Sequence, residues 1–255
     1  MEKIAIVTGA SAGIGRATAI RLAKDFTGVV LVAREEEALK QTAEQVKAVG
    51  AEPLVVVADL RTVEAVDLVI NETKKKFGRI DAVCNIAGAV PQIHLFDMTD
   101  EQWNEGAEGK LHGARRLTIK AWPLLKESNG SVVFISGTAA EDPKPGFAAV
   151  ATINAAICAL AKAFAEQGIE DGVQVNSLLP GPVMSNRRIN FLRKWAGTNN
   201  LSMEEAKSKF LAEAGIKRYG EPDDIAETIA FLVSPGAKWL IGTAIRMDGG
   251  EVKSI

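Results

Sequence analysis

Short runs of Val, Ile and Leu recur along this 255-residue chain, and stretches of helix length separate them. Within each run nearly every residue is apolar, so apolar and polar positions do not alternate. Such runs are typical of strands that helices cover on both faces of a parallel sheet. The pattern predicts six strands, and a seventh that runs into a glycine turn, at residues 3–8, 28–33, 53–58, 82–85, 131–136, 173–179 and 244–250.

These strands alternate with helices in a regular β-α order. Because the connection between neighbouring parallel strands is long enough to hold a helix, the alternation predicts a doubly wound sheet between two helix layers. We expect a three-layer α/β fold with a mainly parallel seven-stranded sheet. A single domain over residues 1–255 is predicted, because this length suits one such domain and no linker or repeat divides it.

One segment, residues 184–215, interrupts this rhythm. It lies between the sixth strand and a helix that begins near Pro222, and it mixes helical and polar character. A long insertion at the carboxyl end of a strand in a doubly wound sheet lies over the ligand crevice. We therefore expect residues 184–215 to form a lid over a substrate.

The first strand leads directly into a glycine-rich turn, TGASAGIG, at residues 8–15, and a helix-forming stretch follows it. Small residues in such a turn let backbone amides approach a pyrophosphate, and the N-terminus of the next helix adds a partial positive charge. The position of the turn between the first strand and the first helix favours a dinucleotide site over a plain strand-to-helix turn.

Four further motifs follow in order along the chain. They are Asp59 after the third strand, NIAG at residues 85–88, Asn176 with Pro180 and Gly181 around the end of the sixth strand, and DGG at residues 248–250. With these motifs the chain resembles the short-chain dehydrogenase/reductase family over essentially its whole length. The resemblance implies a Rossmann fold, a nicotinamide dinucleotide cofactor and a small-molecule substrate.

The resemblance also implies a set of cofactor contacts. They are Ser11, Ile14 and Gly15, in the turn that begins with Gly9, for the pyrophosphate; Asp59 and Leu60 for the adenine; Asn85, Ala87 and Gly88 for the adenosine ribose; and Pro180, Gly181, Val183 and Ser185 for the nicotinamide. Ser185 stands where the family usually has Thr.

The end of the second strand favours NADP over NAD. Family members that use NAD often carry an Asp there, which bonds the ribose 2′-hydroxyl and repels a 2′-phosphate. This chain has Ala33, and the guanidinium of Arg34 that follows can pair with a 2′-phosphate. Three glutamates at residues 35–37 weaken the positive field, so NAD and a plain solvated role for Arg34 stay open.

The resemblance fails at the catalytic tetrad of the family, an Asn, a Ser, a Tyr and a Lys. Aligned on the flanking motifs, these four positions hold Lys110, Gly137, Val150 and Asn154 in that order. The only tyrosine, Tyr219, lies far along the chain, so no shift of the alignment supplies the missing phenol. Val150 cannot donate a proton, and Asn154 carries no charge with which to lower the pKa of a neighbour.

Two residues are candidates to replace the missing groups. Thr138 lies in the turn after the fifth strand, and Lys110 could act as a general acid or as an anchor for an anionic substrate. A surface position for Lys110 is the favoured alternative. For the basic residues of the lid (Arg187, Arg188, Arg193 and Lys194), a solvated helix face is favoured over a site for a carboxylate, a phosphate or a coenzyme A tail.

Charge and composition exclude several partners. The net charge of −2 and the isoelectric point near 5.9 provide no basic field for nucleic acid or an anionic membrane. The first apolar run is too short for a signal peptide or a membrane span, which makes the cytoplasm the expected location. Cys84 and Cys158 fit core positions, and with His94 and His112 they form no metal-binding spacing, so no metal is expected.

Two main functions stay open at this stage. One is an unusual oxidoreductase that binds NADP(H) or NAD(H) and acts on a carbonyl, an alcohol or an activated double bond. The other is a catalytically inactive cofactor-binding protein, a sensor or a partner subunit of an active relative. A non-redox enzyme on the same fold is a weaker third possibility.

A homotetramer or homodimer is expected. The helix after Val150 is apolar nearly all round, with Ile153, Ile157 and Leu160, and such a helix needs covering. In similar proteins, this helix, the helix of Lys110 and the C-terminal strand form subunit contacts.

Overall fold

All seven strands belong to one parallel sheet. The computed structural model describes residues 2–254. The strands are β1 (Ile4–Thr8), β2 (Gly28–Ala33), β3 (Glu52–Val57), β4 (Ala82–Asn85), β5 (Ser131–Ile135), β6 (Gln174–Pro180) and β7 (Ala244–Met247). Their order in the sheet is β3-β2-β1-β4-β5-β6-β7, and every pairing among them is parallel. The predicted doubly wound α/β fold is confirmed, with predicted strand ends displaced by up to three residues.

Nine α-helices connect or cover these strands within residues 2–254. They are α1 (Gly13–Leu22), α2 (Glu36–Val49), α3 (Val63–Phe77), α4 (Asp100–Ala107), α5 (Gly113–Ser128), α6 (Ala148–Asp171), α7 (Asn186–Thr198), α8 (Met203–Ala214) and α9 (Pro222–Leu232). A π-helical turn, Glu108–His112, joins α4 directly to α5. Short 3-10 turns lie at Thr138–Ala140, Pro145–Phe147 and Pro235–Ala237.

The two faces of the sheet pack against different helices, which explains why its central strands are apolar at nearly every position. On one face, Val7 and Leu31 pack in a cluster with Ile229 of α9. On the other, Ile6 and Phe134 pack in a cluster that includes residues of α3, α5 and α6. Alternate residues of β1 therefore enter different clusters, and all five of its residues are buried.

Helix α6 is both long and apolar. By length and composition the segment Pro145–Asp171 could cross a membrane. In the fold, Ile157 and Ala165 of this helix are buried in the cluster on the sheet. Its outward positions include the small residues Ala155, Ala159 and Ala163. Helix α6 is thus part of the layer that covers the sheet, and its apolar composition follows from that place.

The predicted lid, residues 184–215, folds into the two helices α7 and α8. Ser185 caps α7, because its hydroxyl oxygen accepts a hydrogen bond from the backbone N–H of Arg188. Ser202 and Glu205 form a reciprocal capping box at the start of α8. The segment follows β6 at the carboxyl edge of the sheet, so both helices are positioned at the end where ligand crevices form in this architecture.

Candidate functional site

A cavity of about 690 Å³ opens at the carboxyl ends of the strands. Its walls come from the loops that follow all seven strands, from the π-helical turn, and from α6, α7 and α8. The strand order reverses between β1 and β4, and the loops that follow these two strands contribute to the cavity. Ligands of doubly wound folds bind at this reversal, so the cavity is the candidate functional site.

The glycine turn after β1 leaves backbone N–H groups free to face the cavity. Gly9 has φ +70°, and a side chain on Gly15 would overlap the carbonyl group of Gly9. Ala12, which precedes α1, offers no side-chain cap to the first turn of that helix. The guanidinium of Arg16 donates to the carbonyl oxygen of Ser11 at 2.5 Å and holds the turn in place. The arrangement provides a helix N-terminus open to an anion.

Thirteen of the fourteen residues predicted to contact a cofactor line this cavity. They are Gly9, Ser11, Ile14, Gly15, Arg34, Asp59, Leu60, Ala87, Gly88, Pro180, Gly181, Val183 and Ser185. Asn85 does not line it: its side chain is buried behind the wall and donates to the hydroxyl of Thr118 at 3.0 Å. The position of Asn85 indicates a role in joining β4 to α5, and not a direct contact with a ligand.

Arg34 lies exposed at the rim of the cavity, directly after β2. Nearby, the guanidinium of Arg61 donates to both carboxylate oxygens of Asp59. This contact lowers the pKa of Asp59, and the charge of Arg34 contributes a smaller decrease. At this end of the cavity the carboxylate of Asp59 is therefore engaged by Arg61, and the charge of Arg34 acts on it.

Lys110 occupies the middle of the π-helical turn and is 8% exposed, so its favoured interpretation as a surface lysine is wrong. Its Nζ donates to the side-chain oxygen of Asn154 at 2.5 Å and to the carbonyl oxygen of Ser136 at 3.1 Å. A side chain on Gly88 would overlap Lys110, since a Cβ there would lie 2.6 Å from the Lys110 Cα. The glycine therefore lets this turn reach the cavity wall.

Lys110 and Asn154 exchange the residue types of the family pattern. The resemblance places an Asn at position 110 and a Lys at position 154, whereas this chain has the Lys first and the Asn second. The two side chains hydrogen-bond to each other, and both line the cavity. The two differences lie 44 residues apart in the sequence, and the structure brings them into one contact.

Burial lowers the pKa of Lys110 to about 7, and the positive charge of Arg187 contributes to this decrease. Near neutral pH the amine is therefore partly protonated. An ammonium group has three N–H donors, and the bonds to Asn154 and Ser136 use two of them. The third is left for a ligand in the cavity.

The other two tetrad positions contribute space and an apolar surface. Gly137 and Val150 both line the cavity. Ser136, next to Gly137, donates its hydroxyl proton to the carbonyl oxygen of Asn154 at 2.8 Å, which fixes α6 against the end of β5. Thr138, the predicted substitute for the family Ser, lines the cavity, but its hydroxyl donates to the carboxylate of Glu251 at 3.0 Å.

Glu251 is a cavity residue that sequence reasoning missed. Its carboxylate accepts the bond from Thr138, and burial raises its pKa while the nearby charge of Arg188 opposes that rise. The only sequence signal is its place directly after the DGG motif at residues 248–250. The chain returns to the crevice at this point because Asp248 accepts hydrogen bonds from the backbone N–H groups of Gly250 and Val252.

The basic residues of the lid separate into two pairs. Arg187 and Arg188 line the cavity. Arg188 is partly buried there, so the favoured interpretation of a solvated helix face is wrong for it, whereas Arg187 is exposed. Arg193 and Lys194 are exposed and away from the cavity, as that interpretation predicts. Arg187 donates to the carbonyl oxygen of Val90 at 2.7 Å and remains open to the crevice.

Aromatic rings form the wall beside these arginines. The rings of Phe147 and Phe191 lie 6.1 Å apart between centroids, and Phe191 and Phe210 make an edge-on pair at the same distance. The guanidinium carbon of Arg188 lies 4.7 Å from the centroid of Phe210 and 5.3 Å from that of Phe191. This end of the cavity is therefore apolar with cationic groups on its surface.

Metal-binding groups are not clustered in the part of the chain that the structure describes, where no three His, Cys, Asp or Glu residues could hold an ion together. Cys84 is fully buried, as predicted, and burial raises the pKa of its thiol to about 12. Cys158 is only partly buried and lies 3.3 Å from the hydroxyl of Ser136.

The fold and the crevice thus define a doubly wound α/β protein whose ligand site lies at the reversal of strand order.

Comparison with known proteins identifies the family. A family model described as enoyl-(acyl carrier protein) reductase matches residues 9–251. The 3-oxoacyl-(acyl-carrier-protein) reductase FabG of Staphylococcus aureus is 31% identical over 252 residues, which cover 98% of each chain. The chain belongs to the short-chain dehydrogenase/reductase family.

Solved structures of similar proteins include L-sorbose reductase from Gluconobacter frateurii in complex with NADPH and L-sorbose. That structure has a TM-score of 0.95 at 28% identity and covers 100% of this chain and 98% of its own. A variant of actinorhodin polyketide ketoreductase with NADPH has a TM-score of 0.94 at 27% identity, with coverage of 99% and 98%.

Proposed function

We propose that this protein is an NADP(H)-dependent oxidoreductase that reduces a carbonyl group of a small molecule, with Lys110 as the proton donor. The observation that carries the proposal is the contact between Lys110 and Asn154 at the position of the family's catalytic groups. This pair places an amine in the cavity wall where a phenol and a lysine are missing.

The cavity residues fit a nicotinamide dinucleotide. The uncapped start of α1 and the glycine turn provide backbone N–H donors for a pyrophosphate. Arg34 provides a guanidinium where a 2′-phosphate would lie, and the similar structures of L-sorbose reductase and polyketide ketoreductase contain NADPH. NADP(H) is therefore proposed as the preferred cofactor; when bound, NADPH supplies the hydride for the reduction.

Lys110 has the chemistry that a proton donor near neutral pH requires. A pKa of about 7 lies close to the working pH, where general acids are most effective. Asn154 and the Ser136 carbonyl group hold two N–H bonds of the ammonium, so the third N–H has a fixed direction. In the proposed step this N–H bond breaks, the proton goes to the carbonyl oxygen, and the amine regains a proton from water.

Two observations favour a second function. Val150 stands where the family has its tyrosine, and both hydrogen bonds that Lys110 makes go to the protein itself. If the amine is held only for structural reasons, the protein would bind the dinucleotide without turning it over. A cofactor sensor or a partner subunit of an active relative would have this property.

Calorimetric titration of the purified protein with NADPH and with NADH tests the first part of the proposal. NADPH is expected to bind in the micromolar range and more tightly than NADH. Loss of NADPH absorbance with members of a panel of ketones, aldehydes and enones then tests turnover. Binding without turnover of any of them favours the sensor, and absence of binding by both cofactors contradicts both functions.

The variant Lys110→Met separates a chemical role from a structural one. The proposal expects kcat to fall by about 10² to 10⁴, the range typical of a general acid, with little change in the affinity for NADPH. Lys120→Met is a matched control, because Lys120 is an exposed lysine of α5 paired with Asp67. Equal activity of the Lys110 variant and the control contradicts the role of Lys110.

A further inference from the structure

We propose that the substrate carries an anionic group, a carboxylate or a phosphate, which binds to Arg188 and Arg187 at the start of the lid helix α7. This inference rests on the proposed function for the reaction, but it concerns binding and is tested separately. The juxtaposition that points to it is a pair of guanidinium groups on the wall of the cavity that also contains Lys110.

Arg188 is held in place without a carboxylate partner. Its guanidinium lies over the rings of Phe210 and Phe191. Arg188 forms no ion pair within residues 2–254, although the charge of Glu251 acts on it. Stacking on aromatic rings fixes the plane of a guanidinium and leaves its N–H edges available. Arg188 is therefore oriented in advance for a planar anion.

Arg187 adds a second cation that the protein does not neutralise. One of its terminal nitrogens donates to the carbonyl oxygen of Val90, which leaves its other N–H groups available. The charges of Arg187 and Arg188 repel each other, and the charge of Arg187 also disfavours the ammonium form of Lys110. A bound anion would relieve this repulsion, and in the absence of one the site keeps an excess of positive charge.

The acidic groups of this part of the cavity do not cancel that excess. Among the nearby charges, that of Glu251 raises the pKa of Arg188 most. The carboxylate of Glu251 also accepts a hydrogen bond from Thr138. Asp142 pairs with Lys144 at 2.8 Å. Among the described residues of this part of the cavity, Glu251 is therefore the one carboxylate without a cationic partner, and it is opposed by two arginines and a partly protonated lysine.

The chemistry of the wall defines the class of substrate. A guanidinium fork recognises carboxylate and phosphate oxygens through two parallel N–H bonds. Phe147, Phe191 and Val150 provide apolar surface in the same cavity as the arginines and Lys110. A small carbonyl compound with an apolar body and one anionic group fits these features.

Matched pairs of probes test the inference. Each pair differs only in the anionic group: phenylpyruvate with phenylacetone, pyruvate with acetone, and dihydroxyacetone phosphate with dihydroxyacetone. Binding is measured by calorimetry on the protein saturated with NADP⁺ and, in a second series, on the protein alone. We expect at least one anionic member to bind about tenfold or more tightly than its neutral partner, and this preference to weaken with salt. Whether it is a carboxylate or a phosphate identifies the source of the negative charge.

Variants of α7 locate the effect. Arg188→Gln is expected to weaken the binding of the anionic probe about tenfold or more. The affinities for the neutral probe and for NADPH should change less than twofold. Arg188→Lys keeps the charge but loses the two parallel N–H donors, so its affinity for the anionic probe is expected to lie between those of the wild type and Arg188→Gln. Arg193→Gln is the matched control, because Arg193 is an exposed arginine of the same helix. Thermal unfolding of each variant checks that the fold is retained.

The possible failures are distinguishable. If no anionic probe binds more tightly than its neutral partner, or if Arg188→Gln weakens both members equally, the inference is overturned. If NADPH does not bind but the anionic preference persists in the protein alone, the proposed oxidoreductase fails and the anion site stands.

Discussion

The side-chain nitrogen of Asn154 lies 2.8 Å from the point that a Cβ on Gly137 would occupy. Gly137 has an extended backbone (φ 163°, ψ 156°) that any residue can adopt, so the amide of Asn154 alone excludes a side chain there. The same amide group accepts the hydrogen bond of Lys110 through its oxygen. Asn154 therefore contacts both positions, and restoring the family residue at position 110 or 137 is expected to disturb Asn154.

A double-mutant cycle between Gly137 and Asn154 tests this dependence. Gly137→Ala is expected to cost about 1–3 kcal/mol of unfolding free energy, because the added methyl group must displace the amide. In the Asn154→Ala background the same change should cost clearly less, so the coupling energy should reach about 0.5 kcal/mol or more. Chemical denaturation of the four proteins measures it, and additive effects would show that the two positions are independent.

The pH dependence of the reduction reports on Lys110. The pKa of the buried amine is about 7, so the fraction that can donate a proton falls as the pH rises above that value. We expect kcat for reduction to be level below about pH 6 and to fall about tenfold per pH unit above the pKa. Stopped-flow rates between pH 5.5 and 9 measure this profile, and a rate that rises through pH 7 is incompatible with an acid role for Lys110.

Stability should also depend on pH through Lys110. Its pKa is lower in the folded protein than in the unfolded chain, where the usual value is 10.5. Between about pH 7 and 10.5 the unfolded state binds more protons, so the contribution of Lys110 to the unfolding free energy becomes more favourable as the pH rises. The difference between the wild type and Lys110→Met should therefore shift in favour of the wild type across this window. Urea denaturation at several pH values measures the shift, and a constant difference would show that the lysine titrates normally.

Arg34 should set the preference between the two cofactors. Arg34→Ala is expected to weaken the binding of NADPH about tenfold or more, because hydrogen bonds to a charged group contribute about this much. The affinity for NADH should remain nearly unchanged. Lys47→Ala, at an exposed position near the end of α2, is the control. Titration calorimetry gives both affinities; equal losses for NADPH and NADH would place Arg34 away from the 2′-phosphate.

Assembly into a dimer or tetramer is expected from exposed apolar groups. Trp239 is 96% exposed and Phe231 is 50% exposed, and they lie close in sequence to the last strand, where a subunit contact is predicted. Light scattering should give a mass of two or four chains, and Trp239→Ser should reduce it or make it depend more strongly on protein concentration. A single-chain mass for the wild type would contradict the expectation.

The fold was predictable because it depends on patterns that are local in sequence. Fully apolar strands such as β1 indicate burial on both faces of the sheet. The glycine turn at residues 8–15 indicates where the first strand ends and the first helix begins. The exact ends of strands were less predictable: β6 extends to Pro180, because the backbone continues its pairing with β7 there.

The part of the site around Lys110 was harder to predict, since its contacts join residues distant in sequence. The pattern around Lys110 is equally compatible with a surface helix, and only the π-helical turn brings the lysine inside. Glu251 lies 113 residues from its partner Thr138, and nothing in the local sequence of either connects them. The lid arginines are polar residues on a helix, and only its packing distinguishes Arg188 from Arg193.

The π-helical turn Glu108–His112 also determines how α5 meets the sheet. Each residue of an α-helix advances the direction of the next side chain by about 100°, so one residue more or fewer in this turn would rotate all of α5 by that angle. Leu117, Ala121 and Leu125 face the sheet only in the present register. The chain at this point cannot be shortened or lengthened by a single residue without moving both the amine in the cavity and the apolar stripe behind it. The position of Lys110 and the packing of α5 on the sheet thus both depend on the rotation of α5 about its axis.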